Sequence, residues 1–315
     1  MPTVVAGVAG ELGSGIRAVA SGLRHNVTIS SASSSAAAQL GRYGVFVYHP
    51  ETEPGVVEEI ELLGFDTIWV PDISRDRLQD IEAVLAATSS IQVGSGIANI
   101  WTTPVEVAAE FFHRAEDLYP GRFFLGIGLG HRERDGQAFG TPYEATVWYL
   151  DGLARARVPR ERIVLAALRK RVLGLSRDRT AGGYPINMPL AHTRFARATL
   201  GEGPFLTVGL NVVFEEDQEK ARGIARESVR YYTNLVNYVN AWREFGFPDA
   251  QVGEEPSNEL VDAITSYGSI AAITTGVQAQ LDTGANQVVL RVLPDDGGRG
   301  SLSVLTALAH QLGLT

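Results

Sequence analysis

The chain has 315 residues, 45% of them hydrophobic and 8% aromatic, enough to bury one large core and too apolar for a disordered chain. Its formal charge of −9 argues against a nucleic-acid partner, whose footprint is a basic patch. Cysteine is absent, which excludes disulfides, thiolate nucleophiles and cysteine metal sites and fits a reducing, cytoplasmic setting. No apolar run is long enough to cross a bilayer, so no membrane partner is expected. None of the six histidines pairs with another at the spacing of a helical metal site.

Residues 1–39 are dominated by Gly, Ala, Ser and Val, and their first basic residue is Arg17, after the most apolar stretch. That order does not suit a secretory signal, and the segment reads as a disordered leader or an over-extended start. A single organised domain is expected over 40–315. Strand-like segments follow at Val45–Tyr48, Thr67–Val70, Ile91–Ser95, Phe123–Ile127, Ile163–Ala166, Pro185–Asn187, Leu206–Val213 and Gln287–Val292. Helical patterns fill the gaps: Gly55–Leu63, Asp76–Ala87, Pro104–Leu118, Glu144–Arg155, Arg169–Arg177, Glu215–Phe245 with a break, Asn258–Tyr267, Ser269–Asp282 and Ser301–Gln311. Eight strands alternating with helices predict an α/β fold with a closed parallel barrel, helices outside. More than 70 residues separate the last two strands, an insertion suited to a lid or a dimer face. Its aromatic residues Tyr231, Tyr232, Tyr238, Trp242 and Phe245 are expected in a core.

Parallel barrels carry function at the C-terminal strand ends. The clearest such unit runs from Ile91 to His131: a strand into Gly94-Ser95-Gly96, a helix opened by Thr103 as N-cap and Pro104 at the first position, and a strand ending Gly128-Leu129-Gly130-His131. The glycines mark close backbone approach to a ligand, or equally the needs of a tight sheet. His131 and His49 stand at strand ends where an imidazole could exchange a proton near neutral pH, or bond to backbone. Ala167-Leu168-Arg169-Lys170 passes from strand to helix and offers backbone N–H groups and two cations to a phosphate, with Gly182-Gly183-Tyr184 placed to complete the cradle. The alternative is a solvated helix face.

Three runs, GIANIW at Gly96–Trp101, YPGRFFLGIGLGH at Tyr119–His131 and IVLAALRKRVLGLSRDRTAGGYP at Ile163–Pro185, together resemble the luciferase-like monooxygenase superfamily. More narrowly they resemble its branch of oxidoreductases that use the deazaflavin coenzyme F420. The resemblance is colinear from Leu40 to Leu314. It implies a bacterial-luciferase-like (β/α)8 TIM barrel with an insertion after strand 7, the cofactor across the C-terminal mouth, a small organic substrate and a homodimer. It also implies a bulge after the third strand, often with a non-prolyl cis peptide, which maps to Gly96-Ile97; an ordinary tight turn at Gly96 would serve the sequence as well.

In many such relatives the second strand ends in an acidic residue and a histidine. Here Asp72 matches, as a ring partner or simply a helix cap, while Ile73 takes the histidine place. Asn99, Gly128 and Gly130 are expected beside the ring, with Trp101 walling the substrate or packing. The resemblance thus implies hydride transfer with F420, or an FMN-dependent monooxygenase of the same barrel; the missing histidine leaves open a cofactor-binding barrel without turnover.

Overall fold

The computed structural model describes residues 40–48, 52–71, 73–131, 141–293 and 301–315. The leader therefore lies outside the described residues. The strands are β1 (Tyr43–Phe46), β2 (Thr67–Val70), β3 (Gln92–Ser95), β4 (Ala98–Asn99), β5 (Phe123–Gly128), β6 (Ile163–Leu165), β7 (Gly182–Gly183), β8 (Phe205–Val213), β9 (Thr265–Tyr267) and β10 (Gln287–Val292). Every pairing is parallel. The path runs β1-β2-β3-β5-β6-β7-β8-β10 and back to β1. With β4 and β9 lying beside this ring, eight staves close a barrel, as the alternation of elements predicts.

The helices are α1 (Pro54–Leu62), α2 (Leu78–Ala87), α3 (Val105–Leu118), α4 (Pro142–Arg155), α5 (Lys170–Arg179), α6 (Leu190–Leu200), α7 (Gln218–Thr233), α8 (Val236–Glu244), α9 (Asn258–Ile264), α10 (Ile270–Asp282) and α11 (Ser301–Leu312). Strand alternation sorts the side chains into two cores. Val45, Ile68, Leu125, Leu165 and Leu290 point outward into one large cluster shared with the helices. On α3, Phe111 and Phe112 close on Phe123 at ring-centroid distances of 5.3 and 6.1 Å. Phe46, Trp69, Phe124, Val164, Phe205 and Val289 point inward and form a separate cluster inside the barrel. Burying each such side chain stabilises the fold by about 1.5–3 kcal/mol.

Several elements depart from the sequence reading. The sixth stave is Gly182–Gly183, not Pro185–Asn187, which contributes only an isolated bridge between Ile186 and Gly209. At Gly182 a side-chain carbon would stand 1.9 Å from the Phe205 carbonyl oxygen, so the close approach of β8 demands glycine there. Helix α6 was not expected. The helix expected through Tyr267 stops at Ile264, and the chain then turns into β9. Thr103 is not the cap of α3: Pro104 holds that position, and the buried Thr103 accepts at its carbonyl from the Tyr149 hydroxyl at 2.9 Å.

Residues 214–286 form the insertion and the return to the last stave. Arg222, Arg226 and Arg230, spaced by one turn of α7, reach Asp262, Asn258 and Glu255 respectively and stitch that helix to α9 and the loop before it. Tyr232, Tyr238 and Trp242 lie in the core of this lobe, as expected, whereas Tyr231 is exposed. Among the described residues no helix is long and apolar enough to cross a membrane.

Candidate active site

The barrel interior is filled from its floor upward by side chains on the inward register. At the bottom the Trp69 indole N–H donates to Gln287 Oε1 at 3.1 Å, and Gln287 Nε2 donates to the Thr67 hydroxyl at 3.1 Å. Space for the indole comes from glycine: a side-chain carbon on Gly94 would lie 2.4 Å from the ring. Above it Tyr184 packs against Trp69 and stacks on Phe46, at centroid distances of 4.7 and 5.9 Å. The floor of the barrel is therefore filled, which leaves its C-terminal mouth as the open end of the barrel interior.

That mouth has a bare side and a polar side. On the bare side the peptide between Gly96 and Ile97 is cis, at the position the resemblance implied. Both residues are partly exposed. A side-chain carbon on the buried Gly128 would come within 3.0 Å of Ala166 Cβ and of Ile97 Cγ1, so close packing of the wall keeps this apolar shelf to a glycine at that position. Gly130 follows with φ +57°, which turns the chain toward His131. The His131 ring lies 5.6 Å from Tyr238 on α8, at the rim where insertion and barrel meet.

On the polar side Gln287, Val289 and Arg291 follow one another up the inward face of β10. Arg291 lies 5.5 Å from the Tyr48 ring and 5.9 Å from that of Tyr232, and Nη1 donates to Asn211 Oδ1 at 3.4 Å. Asn211 Nδ2 in turn donates to Asn187 Oδ1 at 2.8 Å. Three buried polar atoms here have no hydrogen-bond partner among the described residues: Arg291 Nε, the Tyr184 hydroxyl and Asn187 Nδ2. Burial pushes the phenols of Tyr184 and Tyr238 well above their ordinary range, so they remain neutral. Burial disfavours the Arg291 charge, yet the surrounding phenols outweigh it and hold its pKa up.

Asp72 and His49 lie outside the described residues. Ile73 is buried in the outer core and extends the wall, its N–H donating to the Ile97 carbonyl at 3.1 Å. Asn99 Oδ1 accepts from the Trp101 N–H at 2.9 Å, and the Asn99 carbonyl accepts from Thr103 N–H at 2.9 Å, so the residue shapes the turn into α3. Trp101 packs on the outer core.

In the expected phosphate cradle Ala167 and Leu168 are buried, and the Leu168 carbonyl bonds to His192 Nε2 at 2.7 Å. Among the described residues no side chain caps α5. Arg169 is paired with Glu244 of α8, while Lys170 is exposed. Tyr184 does not join this cradle, since it points into the barrel. Arg291 was absent from the sequence reading, although a charged residue on the inward register of a buried strand is a legible signal.

Two cavities stand out among the described residues, one of about 240 Å³ lined by Arg42, Asp282 and Asn286, the other of about 260 Å³ inside the insertion beside Phe247 and Leu260. Neither touches the shelf or Arg291. Among the described residues no group of His, Asp and Glu is placed to hold a metal ion.

Residues 32–157 match the family described as luciferase-like monooxygenase. The coenzyme F420 dependent tetrahydromethanopterin reductase of Methanopyrus kandleri superposes with a TM-score of 0.64 at 15% identity, over 85% of this chain and 97% of that one. The fold is that of the luciferase-like monooxygenases.

Both cofactor classes occur among the luciferase-like neighbours. The oxygenating constituent of 3,6-diketocamphane monooxygenase from Pseudomonas putida, in complex with FMN, superposes with a TM-score of 0.58 at 14% identity, over 85% of this chain and 97% of that one. In sequence, a 5,10-methylenetetrahydromethanopterin reductase of Methanolobus tindarius is 30% identical over 74 residues, which is 23% of this chain and 23% of that protein. Ile97 and Ala166 pack closely on Gly128 in the wall, and Lys170 stands exposed in the first turn of α5.

Proposed function

We propose that the chain is an oxidoreductase that transfers a hydride between coenzyme F420 and a small organic substrate. The observation that carries this reading is the shelf of Gly96, Ile97 and Gly128 at the mouth, where the close approach of Ile97 and Ala166 leaves little room for a Cβ on Gly128. The shared fold of a coenzyme F420 dependent tetrahydromethanopterin reductase, together with the short stretch similar in sequence to a 5,10-methylenetetrahydromethanopterin reductase, supports F420. When bound, the deazaflavin supplies a ring carbon that carries hydride and reacts poorly with oxygen.

The chain's own residues would position and protect. Gly96, Ile97 and Gly128 support one ring face, with Gly130 keeping the rim open. Backbone at Ala167 and Leu168 leads into the first turn of α5, where Lys170 faces the tail and Arg169 joins it on leaving Glu244. His131 exchanges the proton that accompanies hydride transfer. Asp72 and His49 remain candidates for a ring contact and a second proton carrier, and Asn99 fixes the turn that shapes the shelf. The aromatic lobe of Tyr232, Tyr238 and Trp242 excludes water above the ring.

A second reading, an FMN-dependent monooxygenase, is favoured by the FMN complex that shares the fold. Anaerobic titration with F420 and FMN, read by cofactor absorbance, separates the two. The expected result is tighter F420 binding, with turnover weakened by His131→Ala and binding weakened by Gly128→Val. Tighter FMN binding would overturn the assignment, and indifference to both substitutions would overturn the site.

A further inference from the structure

We propose that Arg291, the Tyr184 hydroxyl and the rings of Tyr48 and Tyr232 form an oxyanion seat, and that the substrate of the hydride transfer proposed above carries a carboxylate or comparable delocalised oxyanion. Arg291 is held on the inward register of β10 by its backbone pairing with Asn211 in β8. None of its contacts among the described residues is a carboxylate: they are Asn211 Oδ1, the Tyr48 and Tyr232 rings and the Tyr48 hydroxyl. A guanidinium offers five donors in a fork suited to two oxygens of one anion. Among the described residues Nε has no acceptor, and the buried Tyr184 hydroxyl in the same cluster has no partner either.

Stacking between rings gives a cation part of what water gave it, but rings do not satisfy an N–H directed past them. Neutral phenols cannot neutralise the charge. Arg291 and Tyr48 are both partly exposed, so an anion can reach the seat from solvent. Arg169 is the contrasting case: it has Glu244 as a counter-ion, and Arg291 has none among the described residues.

The inference rests on the F420 reading only for the statement that the anion belongs to a hydride donor or acceptor; the seat itself needs no cofactor. Calorimetric titration of the intact protein with benzoate and with benzamide, its neutral counterpart, tests it. Benzoate is expected to bind about tenfold or more tightly than benzamide, and Arg291→Lys to remove most of that preference because the fork is lost. Asn211→Asp, which places a competing carboxylate beside the guanidinium, is expected to weaken benzoate in the same way. Since Arg291→Lys could disturb folding, the benzoate-to-benzamide ratio in the unaltered protein stands as a test without any substitution. Equal binding of the two probes would overturn the seat. Mutual exclusion of benzoate and F420 would assign the seat to the cofactor's own anion and overturn the substrate inference, whereas benzoate binding in a protein that ignores F420 would sink the cofactor reading and leave the seat standing.

Discussion

The Trp69 indole occupies the space where a side chain on Gly94 would have to go, 2.4 Å from the nearest built carbon. Gly94→Ala is therefore expected to destabilise the fold by about 1–3 kcal/mol through overpacking of the barrel floor. Among the described residues nothing lies within 4 Å of where a side-chain carbon on Gly174 of α5 would stand, and Gly174→Ala should stabilise by about 0.5–1 kcal/mol through helix propensity. Urea unfolding of the two variants checks both signs, and a stable Gly94→Ala would show that the indole has room to move.

His192 is fully buried against Phe245, its Nδ1 without a partner among the described residues, and burial lowers its pKa to about 4. The folded state thus binds this proton more weakly than the unfolded state. Its contribution to stability is complete above about pH 6.5 and is lost as pH falls toward 4, by on the order of 3 kcal/mol. His192→Gln should flatten the stability profile over that window. A profile unchanged in slope would mean that the imidazole is not held neutral.

Glu61 reports at lower pH. Burial raises its pKa, but backbone N–H groups of Ile91, Ser90 and Ser89, together with the Ser90 hydroxyl, outweigh burial and bring it to about 2. With the folded pKa depressed, the stabilisation is present above about pH 4.5 and disappears as pH falls through 2. Glu61→Gln should lose stability at neutral pH and show a shallower acid limb, measured by denaturation between those pH values.

Ile73 tests the departure from the family pattern directly. Its side chain belongs to the outer core rather than to the mouth, so Ile73→His would bury an imidazole among apolar groups instead of restoring an acid. The expected outcome is a loss of about 1–3 kcal/mol in stability with no gain in turnover. A rise in activity would show that this strand end can turn inward.

The parts of this fold that were readable in the sequence are those in which a β-branched run is bounded by turns. Thr67–Val70 and Gln287–Val292 lie where they were expected. Stave β7 was misplaced because two glycines carry no strand preference; only the proximity of β8 explains them. Helix α6 escaped because its buried face includes His192 and Thr193 alongside Ala196 and Leu200, so no clean apolar stripe appears. Thr103 resembled a cap by type and position, yet it is fully buried and its carbonyl serves Tyr149 on α4. Tyr184 looked like part of a phosphate loop because sequence order places it beside Gly183, but strand parity sends its ring into the barrel. The shelf at Gly96 and Ile97 came from family likeness; Arg291 needed the parity of β10 read together with its neighbours.

The pairing of β9 with the upper end of β8 binds the insertion into the barrel itself. Asn211, Val212 and Val213 face Thr265, Ser266 and Tyr267 across that ladder, and Asn211 is also the residue that receives the Arg291 guanidinium. Peeling the aromatic lobe away to admit a guest would strain the same stave that aims this cation, so opening the entrance and re-aiming the charge become one coupled movement.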